Sequence, residues 1–381
     1  MEALGRGLNI ERARQSSSRP APLLFLEEKP PFAYNPNGST APRRKYMPAN
    51  SRVYGIGNIL IDALVRVTDD DILKLELAKG TMHLTEGAER LKILSFIKTR
   101  EATYNCGGSA PNVVITLAGL QVPSALSGRI GPDEFGEIYD ERLSEHGVES
   151  FLHKGEGSTG SSVIMITPDS ERTMNTHLGV NRDYSLDDIN PEAIAGADYF
   201  FFTGYMWDTP NQKKALTKAM EVAKSNGTKI VFDAADPFAV TRHHGDFLHL
   251  IENHFDVVLA NREEAKLIFN DDDIDSCVNK LAALCDTAIV KDGPRGSYIK
   301  EGTQTHRIPV NTVHAVDTTG AGDIYAAGFI FGLSQKWDTA KAGKFASYLA
   351  SQIVCVTGAQ FSVSDIKRLN QELKDDSWDN F

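Results

Sequence analysis

Residues 317–323 read DTTGAGD, and the run that follows, 323–333, reads DIYAAGFIFGL. In that second run Ala326, Phe329, Ile330 and Leu333 recur at i, i+3, i+4 and i+7, the spacing of one buried helical face. The short apolar piece 314–316 ahead of the motif predicts the end of a strand. Gly320, Ala321 and Gly322 then form the turn into the helix and supply its first N–H groups. Such groups have no partners inside the helix and lie at the positive end of its dipole, which suits a phosphoryl group. Asp323 sets a carboxylate beside that anion hole, where it would repel phosphate unless it has a task. Orienting and deprotonating an attacking hydroxyl is such a task, so the stretch predicts phosphoryl transfer to an alcohol. The plainer alternative is a glycine-rich turn capped by an acid. Two acids, Asp317 and Asp323, bracket this turn, and that weighs against it.

Outward from the motif, strand-like and helix-like segments alternate from residue 53 onward. Residues 53–57 and 59–67 read as strands, and 112–121 as a helix with Pro111 near its first turn. Residues 198–203 (DYFFFT) read as a buried strand, followed by a helix over 211–226 that stops at Gly227. Further strands are predicted at 229–232, 256–260 and 287–290, with hairpin-like pieces at 297–300 and 305–310. Strands separated by helices of this length imply an α/β fold, a mostly parallel sheet covered on both faces. Residues 162–167 and 171–176 break the rhythm as short antiparallel strands around Pro168, Asp169 and Ser170.

The 381 residues suffice for one large α/β domain or two smaller ones, and no apolar run approaches the ~20 residues of a membrane span. Cys106, Cys277, Cys285 and Cys355 are scattered without C-x-x-C spacing, as suits buried thiols in a reducing compartment. Residues 1–52 hold nine Lys/Arg against four Asp/Glu, a net +5, so the remainder carries −16 of the chain's −11. An acidic body argues against nucleic acid as a partner. The basic leader, rich in Ser, Pro and Arg, reads as a flexible extension, and the absence of a signal-type apolar core points to a cytoplasmic protein. Residues 371–381 read as an acidic tail.

The motif resembles the D-T-x-G-A-G-D signature of the ribokinase-like (PfkB-type) carbohydrate and nucleoside kinases. Other landmarks of that family follow in order. Residues 107–112 (GGSAPN) look like its Gly-Gly substrate motif. Gly131, Asp133 and Gly136 are similar to the segment after it, and Asn261 and Glu264 in NREE match its N-x-x-E motif. The likeness covers about residues 53–365. It implies a ribokinase-like domain over 53–370 whose small β lid is built from the N-terminal third and from 160–176. It also implies ATP and Mg²⁺ as cofactors, and a monomer or homodimer acting on a small nucleoside or sugar, with no membrane partner. By resemblance Asp323 is the base and 320–322 the anion hole. Asn261, Glu264 and Gly293 fall on the ATP–magnesium side, and Asp317 on a monovalent cation such as K⁺.

Asp62, in G-N-x-L-x-D, reads on composition alone as a solvated strand-end acid. The arrangement resembles the ribose-gripping segment of adenosine kinases, which implies Asn58 and Asp62 as ligands of ribose hydroxyls. Gly107, Gly108 and Asn112 join the substrate side. GSTGSSVIMI, ERTMNTHLGVN and DAADPFAV are similar to stretches of bacterial adenosine-kinase-like proteins, although the aspartate in DAADPF departs from the serine common in eukaryotic ones. The expected reaction is phosphorylation of the adenosine 5′-hydroxyl. A ribose or fructose kinase of the same family is the first rival, and a catalytically silent sensor the second. Other chemistries fit less well. Leu60 replaces the third glycine of a dinucleotide fingerprint, there is no P-loop and no H-E-x-x-H, and Pro111 spoils a nucleophile elbow. His243, His244 and His249 near Asp246 read as a polar loop and helix start.

Overall fold

The computed structural model describes residues 53–380 apart from Ser170, so the predicted 1–52 extension lies outside the described residues. Fourteen strands are described: β1 Val53–Ile56, β2 Leu60–Arg66, β3 Met82–Leu84, β4 Ala102–Gly107, β5 Ser124–Ile130, β6 Glu149–Lys154 and β7 Gly160–Ile166. The rest are β8 Arg172–His177, β9 Tyr199–Thr203, β10 Lys229–Asp233, β11 Val257–Asn261, β12 Thr287–Lys291, β13 Ser297–Glu301 and β14 Gln304–Ile308. The main sheet runs β14-β13-β12-β11-β10-β9-β1-β5-β6. Its strands from β12 to β6 are parallel, and β13 and β14 turn back antiparallel at one edge.

The near-continuous apolar character of the central strands follows from burial on both faces. Phe200 and Phe202 of β9 enter one core with Ile230 and Phe232 of β10, under the helix Pro210–Asn226. Phe201, Val231 and Leu259 point the opposite way, into a second core with the helices Ser109–Gly119, Ala321–Ser334 and Thr339–Ile353. The helix Pro210–Asn226 is set by a Thr209–Gln212 capping box and stopped by Gly227 in the left-handed region. A second, five-stranded sheet, β3-β8-β7-β2-β4, draws its strands from the N-terminal third and from the β7–β8 hairpin.

Three expectations need correction. Residues 314–316 form no strand: β14 already closes the sheet edge, and the chain there is exposed. The N–H groups of Val316 and Asp317 both donate to the Val354 carbonyl instead, at 2.7 and 3.1 Å. The helix Ala321–Ser334 is buried nearly all round rather than on one face, because it packs between two other helices of its core. Residues 371–379 do not form a detached tail either. The last long helix, Val363–Lys374, runs through residue 370. Beyond it Trp378 is 2% exposed, stacked 5.5 Å from the Trp337 ring and set edge-on 4.9 Å from Phe345. Trp378→Ala is expected to cost about 3–5 kcal/mol of stability, read as a lower urea midpoint. A midpoint equal to that of the parent would mean the segment adds nothing to the fold.

Candidate active site

Parallel sheets bind ligands beyond the carboxyl ends of their strands, and that is where the predicted residues gather. Asn58 follows β1, and Asn261 ends β11. Of the predicted site residues, all but Gly107 and Asp317 line one cavity of about 490 Å³. At its floor the helix Ala321–Ser334 begins from Gly320, whose φ of 73° places it in the left-handed region. A Cβ there would also meet Ala359 Cβ at 2.5 Å, so glycine is required twice over. The first amides are not equally open, since the Ala321 N–H contacts the Thr318 carbonyl at 3.3 Å.

Asp323 sits in the first turn of that helix, within a dipole field that favours its charge. Ser109 Oγ donates to its Oδ1 at 2.6 Å, and Asn112 Nδ2 donates to its Oδ2 at 2.9 Å. Burial raises its pKa to about 6; the Ser109 and Asn112 hydrogen bonds and the Lys291 charge oppose this, and Asp233 adds to it. A carboxyl tuned to that value is ionised at neutral pH yet basic enough to take a proton.

Asp62 stands on β2 opposite Asn105 of β4, and only a glycine at 107 leaves it room: a Cβ there would lie 2.1 Å from Asp62 Oδ2. Gly108 has a φ of 99°, and a Cβ would press on the Asn58 carbonyl at 2.3 Å. The pair of glycines thus lets the Asp62 carboxylate and the Asn58 backbone close onto the helix start. Burial, then the charge of Asp323, raises Asp62 to about 7, with Arg172 opposing. Asn58 Nδ2 reaches the Tyr205 carbonyl at 3.3 Å, while its buried Oδ1 has no protein partner. Asn112, assigned to substrate, has both ends of its amide on protein: Nδ2 on Asp323, and Oδ1 accepting from Gln360 Nε2 at 3.1 Å.

Asn261 and Glu264 form a closed capping box at the start of the helix Arg262–Phe269. The Asn261 N–H and Nδ2 each donate to one Glu264 oxygen, at 2.7 and 2.5 Å. Among the described residues no group of three His, Cys, Asp or Glu side chains is placed to hold a metal. Glu264 and Asp233 are both on the cavity wall, with Asp62, Asp208 and Asp323. Asp317 is engaged otherwise than expected. It accepts from the N–H groups of Thr319 and Gly358 at 2.7 and 2.9 Å and is ion-paired with Arg172 of β8. With a guanidinium already on it, its carboxylate does not fit a monovalent cation, and no step is assigned to one.

Several residues of this site escaped the sequence reading. Lys291 ends β12 and donates from Nζ to Asp233 Oδ2, at the end of β10, over 2.6 Å. Burial works against the Lys291 charge, but Asp233 and Glu264 beside it hold its pKa above the ordinary value. Its ammonium lies 3.4 Å from where a Gly322 Cβ would be, at the mouth of the anion hole. The available signal was a single charge closing each of two apolar strands, TAIVK and KIVFD. Ser109 and Arg172 were visible only as ordinary polar residues.

The sequence profile of the PfkB family carbohydrate kinases matches residues 83–366, most of the chain. The chain belongs to the PfkB family of carbohydrate kinases. This PfkB kinase is 31% identical to the adenosine kinase from Sinorhizobium meliloti, with a TM-score of 0.79, over 84% of this chain and 99% of that one. It is 30% identical to a probable sugar kinase from Rhizobium etli, again with a TM-score of 0.79, over 84% and 98% of the two chains. A ribokinase from Staphylococcus aureus is 26% identical over 70% of this chain and 87% of its own. The fold is therefore ribokinase-like, and the PfkB kinase is a phosphotransferase with an alcohol group as acceptor. None of its described helices is long and apolar enough to cross a membrane.

Proposed function

We propose that this kinase transfers the γ-phosphoryl group of ATP to a primary hydroxyl, foremost the 5′-hydroxyl of adenosine. The observation that carries the reading is the meeting, in one cavity, of the Asp323 carboxylate with the start of its own helix and with the Asn58–Asp62 pair. Asp62 and the free Asn58 Oδ1 suit the two hydroxyls of a ribose. The wall beyond them is apolar, with Leu60, Met82, Leu84, Ile164 and Met174 from the second sheet. Such a wall suits the flat body of a nucleobase better than the solvated far side of a free sugar. The identity with the S. meliloti adenosine kinase supports the same acceptor.

In the proposed reaction Asp323 orients the hydroxyl and accepts its proton as the oxygen attacks. The N–H groups at the helix start and the Lys291 ammonium face the charge on the phosphoryl oxygens. A divalent cation bound with the nucleotide offsets phosphate charge. Because the transition state is loose, positioning contributes more than base strength. The second sheet serves as the lid that keeps water from the phosphoryl group, and the Arg172–Asp317 ion pair ties it to the anion-hole turn.

ADP release with ATP–Mg²⁺ against adenosine, inosine, ribose and fructose tests the acceptor: adenosine should give the highest kcat/KM, and preference for a free sugar would refute the nucleoside reading. Asp62→Ala is expected to raise the adenosine KM by about a hundredfold, two strong hydrogen bonds to a charged group being lost, with a smaller change in kcat. The ionised carboxylate is the better acceptor, so in the parent enzyme KM should rise as pH falls through about 7. A KM unmoved by the substitution would remove Asp62 from the acceptor site.

A further inference from the structure

We infer that Gln360, held by Arg142, is a positioning residue that fixes the Asn112 amide and through it the orientation of the catalytic carboxylate. The inference rests on Asp323 being the base of the proposed transfer. Four side chains from distant parts of the sequence form one line of hydrogen bonds. Arg142, on the helix Glu134–His146, donates from Nε to Gln360 Oε1 at 3.1 Å and from Nη2 to the Phe361 carbonyl at 3.3 Å. Gln360 Nε2 donates to Asn112 Oδ1 at 3.1 Å, and Asn112 Nδ2 donates to Asp323 Oδ2 at 2.9 Å.

The polarity of this line is forced from both ends. An arginine has only donors, so the Gln360 oxygen must face it and the Gln360 amino group must face Asn112. That group donates, so Asn112 must turn its oxygen to Gln360 and its amino group to Asp323. An ionised carboxylate only accepts, so the line ends on the group that needs a donor. Each amide, free to flip on its own, is thereby set in one orientation. Asn112 is 3% exposed, so a flipped amide would leave its oxygen against the carboxylate with little water to relieve it. The same segment also reaches the anion hole, since the Gly358 N–H donates to Asp317 Oδ2. Residues 358–361 thus reach the base through Asn112 and touch the turn that begins its helix.

Gln360→Glu inverts the middle of the line. One carboxylate oxygen keeps Arg142 while the other faces the Asn112 oxygen, which must flip and point at Asp323. Gln360→Met removes the constraint without adding charge. Asp62, Tyr205, Asp233 and Lys291 also face Asp323, and neither variant alters them. The Asn112 donor favours the ionised form, so its loss must raise the Asp323 pKa above about 6 and carry the acidic limb of kcat to higher pH. With ATP–Mg²⁺ and adenosine, Gln360→Glu is expected to lower kcat about ten- to a hundredfold, with Gln360→Met moving the same way by less. Adenosine KM should change under about threefold. Carboxyl ¹³C NMR of the free enzyme, with the resonance assigned by its loss in Asp323→Asn, should show the same upward move without any acceptor. Folded variants with an unmoved kcat limb and an unmoved Asp323 titration would overturn the inference, as would a loss confined to KM. Should Gln360→Glu not fold, Gln360→Met decides it. A parent enzyme inactive on adenosine would count against the acceptor alone, because the NMR titration still tests the positioning role.

Discussion

Asp323→Asn is expected to lower kcat by about three orders of magnitude, inside the range of 10²–10⁴ that a positioned proton acceptor supplies, while ATP affinity should stay within a few-fold of the parent. The substitution removes the charge and the basicity but keeps the shape. The new amide can turn its oxygen to Asn112 Nδ2 and its amino group to Ser109, whose hydroxyl can accept as well as donate. The local fold therefore holds, and the loss reports chemistry rather than collapse. Nucleotide binding should survive, because the N–H groups at the helix start remain and one negative charge beside the phosphates is gone. Single-turnover kinetics with calorimetric titration of ATP separates the two quantities. Turnover within tenfold of the parent would take Asp323 out of the proton transfer.

The second large effect is expected at Lys291. Lys291→Met should lower kcat by about a hundredfold and stability by about 3–5 kcal/mol, the cost of breaking a buried ion pair from one side. Asp233 and Glu264 are 3% and 1% exposed, so the substitution leaves two largely buried acids without their cation. Lys291 also opposes the rise of the Asp323 and Glu264 pKa values, so removing it lets both carboxyls climb. The base is then protonated over a wider acidic range, and the remaining activity moves to higher pH. Adding Asp233→Asn should restore much of the stability without restoring kcat, since the neutralised partner no longer needs the ammonium but the phosphoryl oxygens still do. Recovery of both quantities together would make Lys291 structural only.

What could be read in the sequence was what local backbone and period dictate. The turn at 320–322 needs glycine for a left-handed residue, and DYFFFT needs two buried faces. Both properties lie in a few adjacent residues. Contacts made by chain crossing were not legible. Ser109 and Asp323 meet across 214 positions, and Asn112 and Gln360 across 248. Lys291 and Asp233 each look like a solvated strand end until the sheet order sets β10 and β12 on either side of β11. The acids of 371–381 likewise hid Trp378, one buried ring that converts an apparent tail into part of a core. The Arg172 partner of Asp317 was hidden for a related reason: it comes from the second sheet, and nothing in DTTGAGD announces a guanidinium.

The most direct measurement is ³¹P NMR of ATP–Mg²⁺ incubated with adenosine and the parent enzyme, with Asp323→Asn alongside. A new phosphomonoester resonance coupled to the 5′ protons is expected to grow with ADP, with almost none from the variant over the same time. Equal ester formation by the two enzymes, or release of inorganic phosphate without any ester from the whole acceptor panel, would contradict the proposed transfer.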